Sequence, residues 1–249
     1  MENLINCPAV FANQPAPKMS DRYSFVSTHQ LVRGLEDLGW SVRNARQSRS
    51  RSTENRAFDK HEVRMTNGGL ITVGDTAPEI AIINSHNGKA PISFNMGLFR
   101  LACENGLTVP VQGFNESLRI RHTNIDSAEL KELMERFAAF LPSVSDRVKR
   151  MQETRIKETD ALDFFRKSVA IRWEGNVNVN FDDYIQAERT EDENPTVWNI
   201  FNIAQEKLVR GKVEMQKDGK TRKARPIKNF SLENEVNLKL WEMAESYCN

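Results

Sequence analysis

Cysteine is scarce. The three present, Cys7, Cys103 and Cys248, are far apart and form no CxxC pair. That argues against a disulfide framework and fits a reducing compartment. No run of eighteen apolar residues occurs, so no segment reads as a membrane span. The first twenty residues lack a basic stretch followed by an apolar one, so they do not read as a secretory leader. There is no excess of either charge: the net charge is +1 over 249 residues, and no global field draws the chain to a polyanion. The expected location is the cytoplasm of a bacterial host cell.

Chemical motifs are equally sparse. There is no GxxxxGK[ST] loop for ATP and no GxGxxG for a dinucleotide. The Asp182-Asp183 pair lies in a charged stretch, and no acidic cluster is spaced to hold Mg²⁺ for a nuclease. His61, His86, His122 and Cys103 lack the short ligand spacing of a zinc site. Cys103 beside Leu101 and Ala102 reads as a buried thiol rather than as a nucleophile. The expectation is a protein that is not an enzyme and carries no cofactor and no metal.

What is present is patterned charge on an α+β framework. Residues 1–20 carry Pro8, Pro15 and Pro17 and read as an irregular arm. Its Leu4, Ile5, Val10 and Phe11 would pack on the body or on another subunit. Thr28 as N-cap, Leu31, Leu35 and Leu38 on one face, and Gly39 at the stop predict a helix over 28–39. Trp40 and Val42 open a strand, and a basic hairpin follows, returning at Asn67-Gly68-Gly69. Residues 79–83 read as a buried strand. Residues 92–107 fit a strand with a bulge at Gly97 or, almost equally, a helix. Leu118 and Ile120 alternate with Arg119 and Arg121 as a half-exposed strand.

The remainder reads as helical. Leu130, Leu133, Met134, Phe137 and Leu141 form a stripe that Pro142 is expected to kink or break. A second helix, from about 145 to 165, has sparse apolar residues and reads as a surface or coiled-coil-like arm. Helices over 197–208 and 232–247 follow. The fold class is therefore α+β, with an antiparallel sheet and one or two helices over 21–123 and a helical region over 124–249.

Two basic stretches stand out. Between 43 and 64 there are seven Lys or Arg against three acids. Arginines on one sheet face would track a phosphate backbone, with Trp40, Phe58 and His61 stacking on bases. The plainer reading is a solvated hairpin, flexible around Ser48–Ser52. Between 207 and 228 there are nine Lys or Arg against Glu214 and Asp218. Asp218-Gly219 makes this a hairpin or loop. Its plainer reading is a surface loop balanced by the acidic stretch 182–193.

Three motifs occur in order: Asn84-Ser85-His86-Asn87-Gly88, then Phe99-Arg100-Leu101-Ala102-Cys103-Glu104-Asn105-Gly106-Leu107, then Arg121-His122-Thr123. Together with an asparagine-containing helix from Thr196 to Gly211 and a closing helix through Asn237 and Trp241, they resemble the phage/plasmid-like protein family, a domain of unknown function numbered 932. The resemblance covers most of the chain after residue 20. It implies a protein of phages and plasmids, with a biochemical role that is not settled. Asn87 stands where the family commonly has an acid, which argues against a metal at that turn. The order of helix, basic strand, hairpin partner and apolar strand is also similar to the core of single-strand annealing recombinases.

These readings combine into a candidate nucleic-acid surface. Phosphates would meet Arg43, Arg46, Arg49, Arg51, Arg64, Arg100, Arg119, Arg121, His122, Lys220, Arg222, Lys223 and Arg225. The Ser85 hydroxyl and His86 would hold a phosphate at the turn, and Trp40 and His61 would stack. The expected partner is nucleic acid, single-stranded DNA above all, met by a homo-oligomer with no membrane involvement. The alternative is a non-enzymatic regulator that binds a host or element protein, marked by an exposed apolar patch.

Overall fold

A computed structural model describes residues 4–20, 23–70, 76–100, 105–108, 119–120, 127–173, 177–217 and 220–248. The chain divides into two compact units, Met1–Pro142 and Ser143–Asn249. The fold is α+β.

In the first unit, helix α1 (Thr28–Asp37) precedes strands β1 (Ser41–Gln47), β2 (His61–Thr66), β3 (Thr76–Asn84), β4 (Ile92–Arg100), β5 (Asn105–Thr108) and β6 (Arg119–Ile120). They form one antiparallel sheet in the order β1-β2-β3-β4-β5, with β6 on β4. Strand alternation sends Val63, Met65, Ile80, Ile82, Phe94 and Met96 to one face. There they meet Leu31, Val32 and Leu35 of α1, Trp40, and Leu4, Cys7 and Val10 of the arm. The arm is thus part of the core, although Ile5 is 77% exposed. Burial pushes the Cys7 thiol up to about 12, so it stays protonated and inert.

Several expectations are corrected. Ser27, not Thr28, caps α1, its Oγ accepting from the Gln30 amide at 3.3 Å. That leaves the Thr28 hydroxyl free to point inward. β4 runs in unbroken register against β3 from Thr76↔Arg100 to Ile83↔Ser93, so neither a bulge at Gly97 nor a helix is present. The bulge lies in β1 instead, between Val42 and Asn44.

Pro142 does not end its helix: α2 runs from Ser127 to Glu153. Met134, Phe137, Leu141, Val144, Val148 and Met151 are all buried, and their spacing of three and four continues across the proline. Proline inside a helix costs about 3 kcal/mol, and burial of even a few such side chains at about 1.5–3 kcal/mol each outweighs it. The real break is at residues 154–157, where Arg155 bridges to Thr196 and the Ile156 amide donates to Pro195 at 3.0 Å.

In the second unit α3 (Glu158–Arg172), β7 (Asn178–Val179), α4 (Phe181–Tyr184), α5 (Val197–Arg210), β8 (Glu214–Lys217), β9 (Lys220–Lys223) and α6 (Phe230–Ser246) follow. Phe164 and Phe165 of α3 are buried, so this region is not a surface arm. β7, β8 and β9 form a small antiparallel sheet with β9 at its edge.

Gly211 ends α5 at φ 71, a left-handed conformation. A Cβ there would meet the Ala224 oxygen and the Arg225 carbonyl carbon at 2.6 Å. Gly39 also has positive φ, 86, but its nearest contact would be the Asn67 side chain at 3.4 Å. Gly211→Ala is therefore expected to lose more than about 2 kcal/mol, and Gly39→Ala only about 1 kcal/mol. Urea midpoints of the two variants check this, and equal losses would contradict the close approach at Gly211.

Candidate nucleic-acid interface

The arginines of the first hairpin are largely committed to carboxylates. Arg43 donates through Nε and Nη2 to Glu79 Oε2 at 2.9 and 2.7 Å. Arg46 Nε donates to Glu62 Oε2 at 2.5 Å. Arg64 reaches Glu62 at 3.0 Å and Glu79 Oε1 at 2.6 Å. Glu62, Arg64 and Glu79 sit on the sheet face away from α1 and are buried, with 0%, 4% and 2% exposure. Burial alone would raise the Glu62 carboxyl, but the Arg64 and Arg46 guanidinium groups outweigh it and hold the group below its ordinary value. Arg43, Arg46 and Arg64 are thus structural ion-pair partners, a correction to their expected place on a phosphate track. Arg49 and Arg51 remain exposed in the connection between β1 and β2. That connection is tied rather than loose: the Ser48 amide donates to Lys60 and the Ser50 amide to Asp59, both at 2.8 Å.

The aromatic and turn residues are also inward. Trp40 is 4% exposed, with its ring 5.6 Å from Phe137, so it cannot stack on a base. His61, Ser85 and His86 are fully buried. His61 Nδ1 lies 2.8 Å from the Asp59 carbonyl and Nε2 2.7 Å from the Thr28 hydroxyl. Asn84 Nδ2 donates to that hydroxyl at 3.0 Å. The carbonyl can only accept, which places the ring proton on Nδ1 and makes Thr28 the donor to Nε2. Burial lowers His61 to about 4. The Ser85 hydroxyl donates to Ala90 at 2.9 Å and accepts from its amide at 2.8 Å. His86 Nε2 meets the Ala9 carbonyl at 3.0 Å, and its own carbonyl accepts from Ala16 at 2.8 Å. The His86 ring is 5.0 Å from His61 and 4.9 Å from Phe25. The Asn84–Gly88 motif therefore fastens the arm and α1 to the sheet, and its Ser85 and His86 side chains are not available to a phosphate.

Arg100 is buried at the end of β4. Arg119 lies on β6, with only its backbone described; Arg121, His122 and Cys103 fall outside the described residues.

The second basic stretch splits in two. Lys207 is buried, and Lys212 pairs with Glu188 and, at 2.9 Å, with Glu206. Arg189 also pairs with Glu206. Burial would raise Glu206, but bonds from Arg189 and Lys212 outweigh it and bring it to about 2. This half is balanced by Glu206 of α5 together with Glu188 of the acidic stretch. The other half is not: all four residues of β9 are exposed, as is Arg225. Lys220, Arg222, Lys223 and Arg225 form no ion pair among the described residues. Besides Arg49 and Arg51 of the first unit, these four are the sequence-predicted cations exposed at the surface among the described residues.

Two features escaped sequence reasoning. One is a row of buried polar side chains on α5: Gln205 donates to Asn237 of α6 at 3.0 Å, Asn202 to the Trp198 carbonyl of its own helix at 2.7 Å, and Asn199 to the Glu191 and Asn194 carbonyls ahead of α5 at 3.0 and 2.9 Å. Its signal was polar residues at spacing of three on an otherwise apolar helix. The other is Trp173, signalled only by its adjacency to Arg172 at a helix end. Among the described residues no group of three or more His, Cys, Asp or Glu is placed to hold a metal, and no helix is long and apolar enough to cross a membrane.

These features define an α+β protein whose most recognisable motif is a buried fastening and whose β8–β9 hairpin exposes a cluster of cations. Residues 17–239 match the family described as Domain of unknown function (DUF932), and the chain belongs to that family. It is similar to the UPF0380 protein YfjQ of Escherichia coli (strain K12), 27% identical over 242 residues, covering 96% of this chain and 87% of the relative. The UPF0380 protein YafZ of the same strain is similar to the same degree, 27% over 242 residues. No solved structure matches the chain, and the likeness to annealing recombinases finds no support in these comparisons.

Proposed function

We propose that this protein binds nucleic acid through the β8–β9 hairpin, with single-stranded DNA handled in phage or plasmid replication or recombination as its substrate. It acts by binding rather than catalysis, as a homo-oligomer in the bacterial cytoplasm. The observation that carries this reading is the edge strand β9, where Lys220, Arg222 and Lys223 are all exposed, with Arg225 just beyond. Cations without carboxylate partners are the ones that can exchange solvent for phosphate. The arginines of β1 and β2 are left out of the interface, because releasing them would strand buried Glu62 and Glu79.

Four phosphate contacts to a single strand give a slope of about −3 in a plot of log K against log salt. Fluorescence anisotropy with a labelled oligonucleotide across a salt series measures it. Replacing Arg222, Lys223 and Arg225 with Glu is expected to weaken binding at least tenfold and to flatten the slope by about 2. Unchanged affinity would remove the hairpin from the reading.

A non-enzymatic, protein-binding regulator is the second reading. It draws on Ile5 and Phe11, large hydrophobic residues of the arm that are 77% and 45% exposed. Absence of oligonucleotide binding at low salt would favour it.

A further inference from the structure

In the second unit, Trp173 follows the last turn of α3 in extended conformation, φ −126 and ψ 113. The Arg172 guanidinium donates to the carbonyls of Leu208 and Arg225. It also lies over the Trp173 ring, 4.5 Å from the centroid. One face of the indole is thus held by a cation that is itself fixed to the end of α5 and to the segment after β9.

Trp173 differs from the other three tryptophans. Trp40, Trp198 and Trp241 are 4%, 2% and 0% exposed, whereas Trp173 is only partly buried. It lines a groove of about 830 Å³ with Ile171, Met215, Leu232, Lys167, Lys239 and the acid Glu235.

The hairpin register says which charges face this groove. Met215 pairs with Arg222, and Glu214 with Lys223. Directly opposed residues share a face and alternate residues share a side. Arg222 and Lys220 therefore stand on the side of Met215, which is a wall of the groove. The acid Glu214 is turned to the other side with Lys223. Lys167 and Lys239 at the groove pair with Asp163 and Glu235, but all four side chains are about half exposed. Such pairs are weak and readily exchanged for another anion.

We propose that this groove takes an unpaired nucleic-acid base, stacked on Trp173, while Lys220 and Arg222 hold the flanking phosphates. The inference rests on the nucleic-acid reading above and adds the subsite by which a single strand, whose bases are free to leave the stack, is told from a duplex. An aromatic platform beside a basic strand holds successive nucleotides with little regard to sequence. A polyanion suits the groove better than an apolar peptide does, because the hairpin side that faces it is cationic.

Intrinsic tryptophan emission reads this contact directly, since Trp173 is the one tryptophan not buried. The full chain is titrated with oligo-dT and with a blunt duplex of equal length, following emission and the anisotropy of a labelled strand in parallel. Oligo-dT is expected to quench the emission. Trp173→Ala is expected to weaken oligo-dT binding about tenfold or more, with duplex affinity unchanged. Trp173→Phe, which keeps a flat ring, is expected to retain most of the affinity. Binding of oligo-dT with unchanged emission, and with W173A at wild-type affinity, overturns the groove and leaves the hairpin reading standing. Equal loss in W173A and W173F overturns stacking as the cause. No binding of either oligonucleotide by the wild-type chain overturns both readings together.

Discussion

Glu62→Ala is expected to destabilise the protein by about 3–5 kcal/mol, the loss that follows when one partner of a buried ion pair is removed. The Glu62 carboxylate is fully buried between Arg46 and Arg64, and Arg64 is itself only 4% exposed. Without Glu62, Arg64 keeps Glu79 at 2.6 Å, but Glu79 also serves Arg43 at 2.7 Å. Arg43 and Arg64 would then share one carboxylate, and Arg46 would lose its Glu62 partner. Urea denaturation measures the loss. A loss below about 1 kcal/mol, the range of exposed pairs, would show that the network does not matter to stability. The double variant Glu62→Leu with Arg64→Met is expected to recover part of the loss. It removes one charge of each sign, leaves Glu79 with Arg43, and leaves Arg46, whose side chain is 30% exposed, able to reach water.

The second large effect is on pH dependence. His61 falls from its ordinary 6.5 to about 4 through burial. Between those values the unfolded chain binds a proton that the folded chain refuses, so stability falls as pH falls through this window. A shift of this size amounts to about 3 kcal/mol in all, at about 1.4 kcal/mol per unit. About 2 kcal/mol of it should appear between pH 7 and pH 5, above the range where carboxylates titrate. Desolvation by burial is the cause, and the neutral ring fits its hydrogen bonds, with Nε2 accepting from Thr28. His61→Gln keeps a polar group there without titrating. Denaturation midpoints of the variant should be flatter between pH 7 and pH 5, and an unchanged slope would assign the dependence elsewhere.

The sequence made the framework legible wherever one element carried its own pattern. Leu31 and Leu35 marked α1, Asn67-Gly68-Gly69 marked a turn, and Asp218-Gly219 marked a hairpin or loop within 207–228. It did not reveal where charge goes once strands pair. Arg43, Arg46 and Arg64 read as a solvated or phosphate-seeking set because Glu79, which two of them share, lies in a strand beyond the turn. Burial on the second sheet face is a tertiary property with no local period. Pro142 misled for the same reason: the local penalty is visible in the sequence, while the burial of Val144, Val148 and Met151 that offsets it is not. The Asn84–Gly88 motif was found correctly as a turn. Its side chains turned inward because the arm and α1 return to it from residues 9, 16 and 28, a closure that no spacing rule encodes.

The edge strand β9 has one more consequence. An unpaired edge is a template on which another chain can add a strand, and nature often blocks such edges with lysine and arginine. Lys220, Arg222 and Lys223 would confront their own copies in any antiparallel addition. Their repulsion keeps the hairpin solitary while it is unoccupied, and bound phosphates would lift that veto. Neutralising these residues with alanine would thus expose a sticky border, which makes glutamate reversal the cleaner substitution. A polyanion that spans two copies could draw their borders together, so pairing of these two edges, as distinct from oligomerisation through other surfaces, would follow ligand loading rather than precede it.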